Sequence, residues 1–390
     1  MSTFWQWYDV VLFWLAAINL AFVGLLFIRL GIGGRSIRVL ADQPVLAGAL
    51  PRVSVIVPAR NEERNLDEAL QSLLQLDYDN LELLVVNDRS TDRTGEILDR
   101  ISVQNPRVRV AHLTELPAGW LGKNHALELG AARATGEFLL FTDADIVFEP
   151  TSLKRAVGYA LTERIDHLAI GPATHMPGWL LQSMVITFCY LFSIFARPWD
   201  AKNPKSKAHI GIGAFNLVRT DVYRAVGGMQ PVAMRPDDDL KLGKLLKMSG
   251  YRQEFLNGRD MISVEWYATI GQLIVGLEKN SFAALEYSVT AVLASTLLLL
   301  LSHFWPFVAV FVTWGPTRWL YAFSALALMI AAARSAIEIR IPMNRALGFP
   351  ICVLLFCYIN WRSMALTLWQ GGIRWRDTHY PLAELRANKI

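Results

Sequence analysis

The sequence predicts an α/β domain, built on a mostly parallel sheet, set between two membrane-embedded districts. Three observations carry this reading: an excess of apolar residues, the segregation of that excess at the two ends, and alternating strand and helix patterns between them. Of the 390 residues, 53% are hydrophobic and 18% charged, with a mean hydropathy of +0.30. Soluble domains carry about 45–50% apolar and about 25% charged residues, so part of this surface calls for a non-aqueous solvent. The net charge of +4 is dispersed and gives no basic face for nucleic acid, so no nucleic-acid partner is expected. Cys189, Cys352 and Cys357 lie in apolar runs without metal-ligand spacing and read as small apolar fillers.

The first element is an N-terminal membrane anchor within residues 1–30. Val10 to Ile28 carries no charge and one polar side chain, Asn19; at about 1.5 Å per residue it matches a bilayer core about 30 Å thick. A secretory signal peptide would have a basic start and a small-residue cleavage site, whereas Trp5, Trp7, Tyr8 and Asp9 form an interfacial belt. Arg29, Arg35 and Arg38 follow and place the next domain in the cytoplasm.

Residues 50–280 read as the catalytic domain. Strands are expected at 53–59 (VSVIVPA), 81–88 (LELLVVND), 108–113 (VRVAHL) and 137–145 (EFLLFTDAD), with helices at 65–76, 93–102 and 125–135. Such alternation argues for helices on both faces of the sheet, and ligands of such sheets sit at the carboxyl ends of strands. Three strand ends carry suggestive chemistry: Pro58 to Glu62, Asn87 to Asp92, and Asp143 with Asp145. If the extended geometry persists past Phe141, the last two carboxylates share a face. Paired carboxylates suit Mg²⁺ or Mn²⁺, which complete their shells with phosphate oxygens. A solvated turn is the plain alternative, and Asp88 at a neighbouring strand end tips the reading toward a site. Asp237, Asp238 and Asp239 precede an apolar-periodic helix; they either cap it or supply a general base beside a metal-bound leaving group.

Residues 284–369 form a second membrane district. Charge-free runs separate Glu286, Arg318 and Arg334, and another covers 346–361; two to four crossings fit. Arg334, Arg340 and Arg345 favour a cytoplasmic loop, and Arg374 and Arg376 a cytoplasmic tail over 370–390. One crossing cannot satisfy both.

The order VSVIVPARNE, VVNDRSTDRT, GWLGKNHALELGAARATGEFLLFTDAD, GIGAFNLVRTDVYRAVGG and DDDLKLGKLLKMSGYR closely resembles the membrane-associated family 2 inverting glycosyltransferases, over about residues 50–285. Within them it is most similar to the lipid-modifying branch, the carotenoid-acid, hopanoid and ceramide glycosyltransferases, which share the WxGK block and a tail like IRWRDTHYPL. The resemblance implies the GT-A nucleotide-sugar-binding fold, a Rossmann-like mixed sheet. It also implies roles: Pro58 and Glu62 lining the nucleotide pocket, Asp88 on the uracil, and Lys123 reaching the nucleotide or diphosphate. Asp143 and Asp145 would hold the diphosphate and its Mg²⁺ or Mn²⁺, Asp239 would be the general base, and Asp238 its acidic neighbour. The implied partners are a nucleotide-sugar donor, a UDP-sugar, and a lipid acceptor at the cytoplasmic leaflet of a cell membrane, such as a bacterial inner membrane, in which the chain is multi-pass. Polysaccharide-synthesising relatives carry a QxxRW sequence after the base; residues 250–285 hold none, Glu265, Trp266 and Lys279 are candidate substitutes, and QGGIRW (370–375) has other spacing.

Other readings are a polysaccharide or polyprenyl-phosphate glycosyltransferase of the same family and, more distantly, a sugar nucleotidyltransferase, whose Gly-rich loop is not seen in VPARNE. A transporter would carry midplane ionisable residues, for which His303, Arg318, Arg334 and Arg362 are the few candidates. One element is ambiguous. Residues 176–196 lack a formal charge, yet Ser183, Thr187, Tyr190, Ser193 and Arg197 recur at helical spacing. The expectation is an interfacial helix over 176–197 lying in the headgroup plane, with a helix buried in the catalytic domain and a true membrane span as the alternatives.

Overall fold

In the computed structural model, residues 2–390 are described, with side chains from residue 7 onward; Trp5 of the expected interfacial belt lies outside the described side chains. The chain forms two compact units. One combines residues 37–175, 196–266 and 371–390; the other holds the segment through Ser36 together with residues 176–195 and 267–370.

In the first unit the strands are β1 (Arg38–Val39), β2 (Val53–Ala59), β3 (Leu81–Asp88), β4 (Val108–Leu113), β5 (Phe138–Phe141), β6 (Ile146–Phe148), β7 (His167–Gly171), β8 (Ala173–His175), β9 (Asn216–Arg219), β10 (Gln253–Asn257), β11 (Ile262–Glu265), β12 (Gly372–Trp375) and β13 (Thr378–Pro381). Eight of them make one sheet in the order β1-β10-β7-β9-β5-β2-β3-β4. Only β9 runs against its neighbours, β5 and β7, which makes the sheet mixed. β6, β11 and β8 form a small second sheet, and β12 and β13 a hairpin.

The β-branched runs become central strands because both their faces are covered. Every residue of β3 is buried, as are six of the seven in β2. The exception, Pro58, lies beyond Ile56, the last residue of β2 that pairs with β5, so its missing N–H leaves no gap on that side. Helices Leu66–Leu74, Thr94–Gln104 and Gly122–Arg133 fill the crossovers. The expected strand 137–145 is shorter: β5 stops at Phe141, and Ala144 and Asp145 form a turn. The regular strand thus ends before the two aspartates.

Within the tail over 370–390, Gly372–Pro381 and the helix Leu382–Ala387 fold into the sheet-bearing unit. Tyr380 and Leu385 are buried there, and Asn388 accepts from Met234 N–H at 2.8 Å.

The second unit is helical: Ser2–Arg35, Trp179–Ala196, Ile270–Ala284, Val289–Leu299, Trp305–Val312, Gly315–Glu338 and Phe349–Trp369. Five stretches among the described residues are long and apolar enough to cross a membrane. Pro306 has no N–H for the carbonyl four residues back, and a π-turn over Leu300–Phe304 precedes it. The polar stripe of Trp179–Ala196 is turned inward over its first three residues, while Ser193 and Arg197 are half-buried. Ser183, Thr187 and Tyr190 are buried; Ser183 Oγ donates to Arg345 O at 2.7 Å, and Tyr190 Oη lies 3.1 Å from His303 Nε2.

Candidate active site

Gly213, in the loop before β9, is where the site converges. Its N–H donates to Asp239 Oδ2 at 2.7 Å, and its carbonyl accepts from Asp143 N–H at 3.1 Å. A Cβ here would stand 2.7 Å from Asp143 Oδ2 and 3.5 Å from Asp239 Oδ2, so two carboxylates from distant segments face one backbone point. Lys123, in the first turn of Gly122–Arg133, places Nζ 2.7 Å from Asp143 Oδ1 and 3.9 Å from Asp238 Oδ1. Lys123, Asp143, Gly213, Asp238 and Asp239 line one cleft with Phe141 and Asn216.

Burial and crowded charges together set the electrostatics. Burial first, then the carboxylates of Asp143 and Glu62, push Asp145 up to about 7. Burial also raises Glu62, against the opposing pull of Arg376. Asp239 is raised by burial, with Lys123 opposing. Burial disfavours the Lys123 ammonium, but Asp143, Asp238 and Asp239 together outweigh it and hold the lysine protonated.

The three consecutive aspartates have three fates. Asp237 is the N-cap residue of Asp238–Met248 but makes no side-chain capping bond; it pairs with the buried Arg235 at 2.9 Å and with Lys241 at 3.7 Å. Asp238 turns to Lys123, and Asp239 to Gly213. Capping therefore does not account for the cluster.

Asp88 ends β3 and is buried. Its carboxylate accepts two bonds from Arg89, at 2.7 and 3.2 Å, and lies 3.5 Å from Arg60. A Cβ on Gly122 would come within 2.2 Å of Asp88 Oδ2, so the glycine of the WxGK block lets Lys123's helix start directly against this ion pair. Glu62 pairs with Arg376 of the tail. The structure thus brings Lys123, Asp143, Asp238 and Asp239 into one cleft, sets Asp145 and Glu62 within electrostatic reach of it, and leaves Asp88 among arginines. Of the candidate QxxRW substitutes, Glu265 and Trp266 belong to the sheet unit and Lys279 to the helical one.

Several supporting residues escaped sequence reasoning. His167 Nε2–H donates to Asn216 Oδ1, while its Nδ1 accepts from Gln253 Nε2 at 2.6 Å. Gln253 also accepts from Ile210 N–H at 2.8 Å and donates to Gly243 O at 3.0 Å. This chain ties β7, β9 and β10 to the loop and helix that carry Gly213 and Asp239. Asn124 donates to the carbonyls of Val232, Ala233 and Arg235, fixing the segment before the aspartates. A polar residue inside an otherwise apolar strand, as in HLAIG, was the available signal.

Asp143 and Asp145 offer hard carboxylate oxygens, the donor set that Mg²⁺ and Mn²⁺ prefer. A divalent cation would relieve the repulsion that adds to burial in raising Asp145. No cluster of three or more His, Cys, Asp or Glu able to hold a metal occurs among the described residues, so phosphate oxygens and water would complete the shell.

Comparison with known proteins bears on this geometry. Residues 54–227 match the family described as Glycosyl transferase family 2. The chain is 40% identical over 235 residues to the 4,4'-diaponeurosporenoate glycosyltransferase of Staphylococcus haemolyticus, covering 58% of this chain and 60% of that protein. It is 37% identical over 125 residues to the beta-monoglucosyldiacylglycerol synthase of Synechocystis sp., covering 32% of this chain and 26% of that protein. The chain thus spans less than two thirds of the length of either relative. Among solved structures, the mannosyltransferase PcManGT from Pyrobaculum calidifontis, in complex with GDP-Man and Mn2+, aligns with a TM-score of 0.54 at 21% identity, covering 91% of this chain and 99% of that one. The sheet-bearing unit has the GT-A fold.

Proposed function

We propose, taking residues 54–227 as a glycosyl transferase family 2 domain, that the chain is an inverting glycosyltransferase moving a sugar from a nucleotide-diphosphate sugar, a UDP-sugar, to a membrane lipid at the cytoplasmic leaflet. The observation that carries this reading is the convergence of Asp143 and Asp239 on Gly213 with Lys123 alongside. In this reading Asp143 serves the diphosphate and Asp239, held by the N–H groups of Gly213 and Leu240, serves the acceptor. Asp239 takes the proton of the acceptor hydroxyl as its oxygen bonds to the anomeric carbon and the bond to the diphosphate oxygen breaks, which inverts the configuration. The raised affinity of Asp239 for protons suits a base. Asp143 and Asp145 would hold Mg²⁺ or Mn²⁺, which supplies positive charge to the leaving diphosphate. Lys123 adds a fixed cation beside them.

The names of two relatives, a diaponeurosporenoate glycosyltransferase and a glucosyldiacylglycerol synthase, support a lipid acceptor. Chain path supports a cytoplasmic, multi-pass arrangement. The chain leaves the sheet-bearing unit after Trp266 and re-enters it at Gly371, which requires an even number of crossings between them. Three apolar stretches lie there. Phe349–Trp369 is the one that carries Arg362, 3.1 Å from Glu278, and we assign it an in-plane course. The same logic keeps Trp179–Ala196 from crossing, since both its ends lead into the sheet-bearing unit. Single cysteines at Trp314 and Arg345 should then react with an impermeant thiol reagent from opposite faces.

The test is a panel of sugar nucleotides given to the purified chain with membrane lipid extract, read as new glycolipid by mass together with released nucleoside diphosphate. Polymer instead of glycolipid would favour the polysaccharide reading. Pyrophosphate would favour a nucleotidyltransferase, and failure with every donor would refute the enzyme reading.

A further inference from the structure

The tail hairpin is built in a way that turning alone does not require. β12 and β13 pair Trp375 with Thr378, leaving Arg376 and Asp377 as a two-residue turn, both at positive φ (46° and 65°). Such turns favour Asn-Gly or Asp-Gly, because a side chain in the left-handed region is strained. Here the first position holds an arginine. Strain of this kind, where the surrounding structure enforces it, points to a function for the strained residue.

The surroundings do enforce it. Tyr380 is buried, its hydroxyl accepts from Gly122 N–H at 3.2 Å, and Arg89 bonds to it as well. Beyond it, Asn388 Nδ2 donates to Pro231 O at 2.7 Å, and Lys244 donates to the carbonyl of Ile390. The hairpin is thereby fixed against the start of the Lys123 helix and the segment leading to Asp238. At its tip the Arg376 guanidinium pairs with Glu62, the two side chains 37% and 23% exposed.

Charge decides what this arginine is for. Glu62, Asp143, Asp145, Asp238 and Asp239 bring five carboxylates toward a site meant to receive a diphosphate. Lys123 is already engaged by Asp143 and Asp238, and Arg60 and Arg89 are engaged by Asp88. A planar guanidinium matches phosphate oxygens in a two-pronged fashion. We propose that the hairpin Gly372–Pro381 is a part of the donor site, and that Arg376, parked on Glu62, transfers to the diphosphate of the bound nucleotide sugar. This rests on the glycosyltransferase reading above and names a specific ligand contact within it. Glu62 then acts as the placeholder that keeps the guanidinium oriented before the donor arrives.

The test uses the full chain in detergent with Mn²⁺, titrated with uridine, guanosine and thymidine diphosphates in turn, each beside its parent nucleoside. Arg376→Ala should weaken the diphosphate that binds wild type by at least about tenfold while leaving the nucleoside unchanged, with Arg376→Lys in between. In wild type, the same diphosphate should slow amide exchange across residues 372–381, a measurement that needs no variant to fold. Unchanged diphosphate affinity in Arg376→Ala, equal loss of nucleoside and diphosphate, or unchanged exchange would overturn the assignment and leave the glycosyltransferase reading standing. If wild type binds none of the three diphosphates, the glycosyltransferase reading itself fails, and this one with it.

Discussion

Glu82 and Asp145 are carboxylates of the same sheet-bearing unit, and their surroundings drive them in opposite directions. Glu82, at the start of β3, accepts from Ser54 Oγ, from Thr135 N–H at 2.6 Å and from Thr135 Oγ1 at 2.8 Å, and pairs with Arg52 and Arg109, each at 3.2 Å. Burial alone would raise it, but these donors outweigh burial and hold it below the ordinary range. Asp145, in the turn after β5, has no such set of donors: burial first, then the nearby Asp143 and Glu62, push it up to about 7. A saturated buried carboxylate belongs to the architecture; one crowded by others is waiting for a cation. The contrast separates structural from chemical acids without reference to sequence position.

The first way to break this comparison is Asp145→Asn. It should lower sugar transfer by about 10³-fold or more, because a charge facing the leaving diphosphate is lost, while thermal unfolding stays within a few degrees of wild type. Normal transfer would place Asp145 with the structural acids. Gly213→Ala should cost less, about 10²-fold in transfer, since the new methyl meets Asp143 Oδ2 at 2.7 Å and displaces it; steady-state kinetics with the accepted donor would show it.

Glu82→Gln sharpens the other side. It should destabilise the sheet-bearing unit by about 2 kcal/mol, since the amide cannot accept from every donor, with transfer per folded molecule unchanged. A loss of transfer without loss of stability would contradict its structural assignment. A further effect concerns pH. His167 is neutral in the fold, with Nδ1 accepting from Gln253, and burial lowers it to about 4. As pH falls below about 6.5 the unfolded chain takes the proton first, so stability drops progressively until about pH 4, by at most about 3 kcal/mol. The difference between wild-type and His167→Gln melting curves across that window measures it; parallel curves would rule it out.

Much of the frame was legible in the sequence. VSVIVPA and LELLVVND show their ends because both faces are buried and the runs are unbroken. EFLLFTDAD misled at its end, since nothing in Thr142–Asp145 signals that the chain turns at Ala144 and Asp145. The roles of Asp237, Asp238 and Asp239 could not be divided from sequence: successive residues at a helix start point in different directions, and only Arg235, Lys123 and Gly213 distinguish them. The stripe on Trp179–Ala196 was visible, but periodicity does not say which face turns inward. Arg376 was hidden because its hairpin has four-residue strands and no Asn-Gly signal.

The central claim is that Asp239 handles the acceptor while Lys123, Asp143 and Asp145 handle the donor. Sugar transfer and nucleotide affinity should therefore be measured on one preparation of Asp239→Asn. Transfer lower by about 10³-fold with nucleoside diphosphate affinity equal to wild type is the predicted result. Transfer at the wild-type rate, or an equal loss of nucleotide affinity, would contradict it.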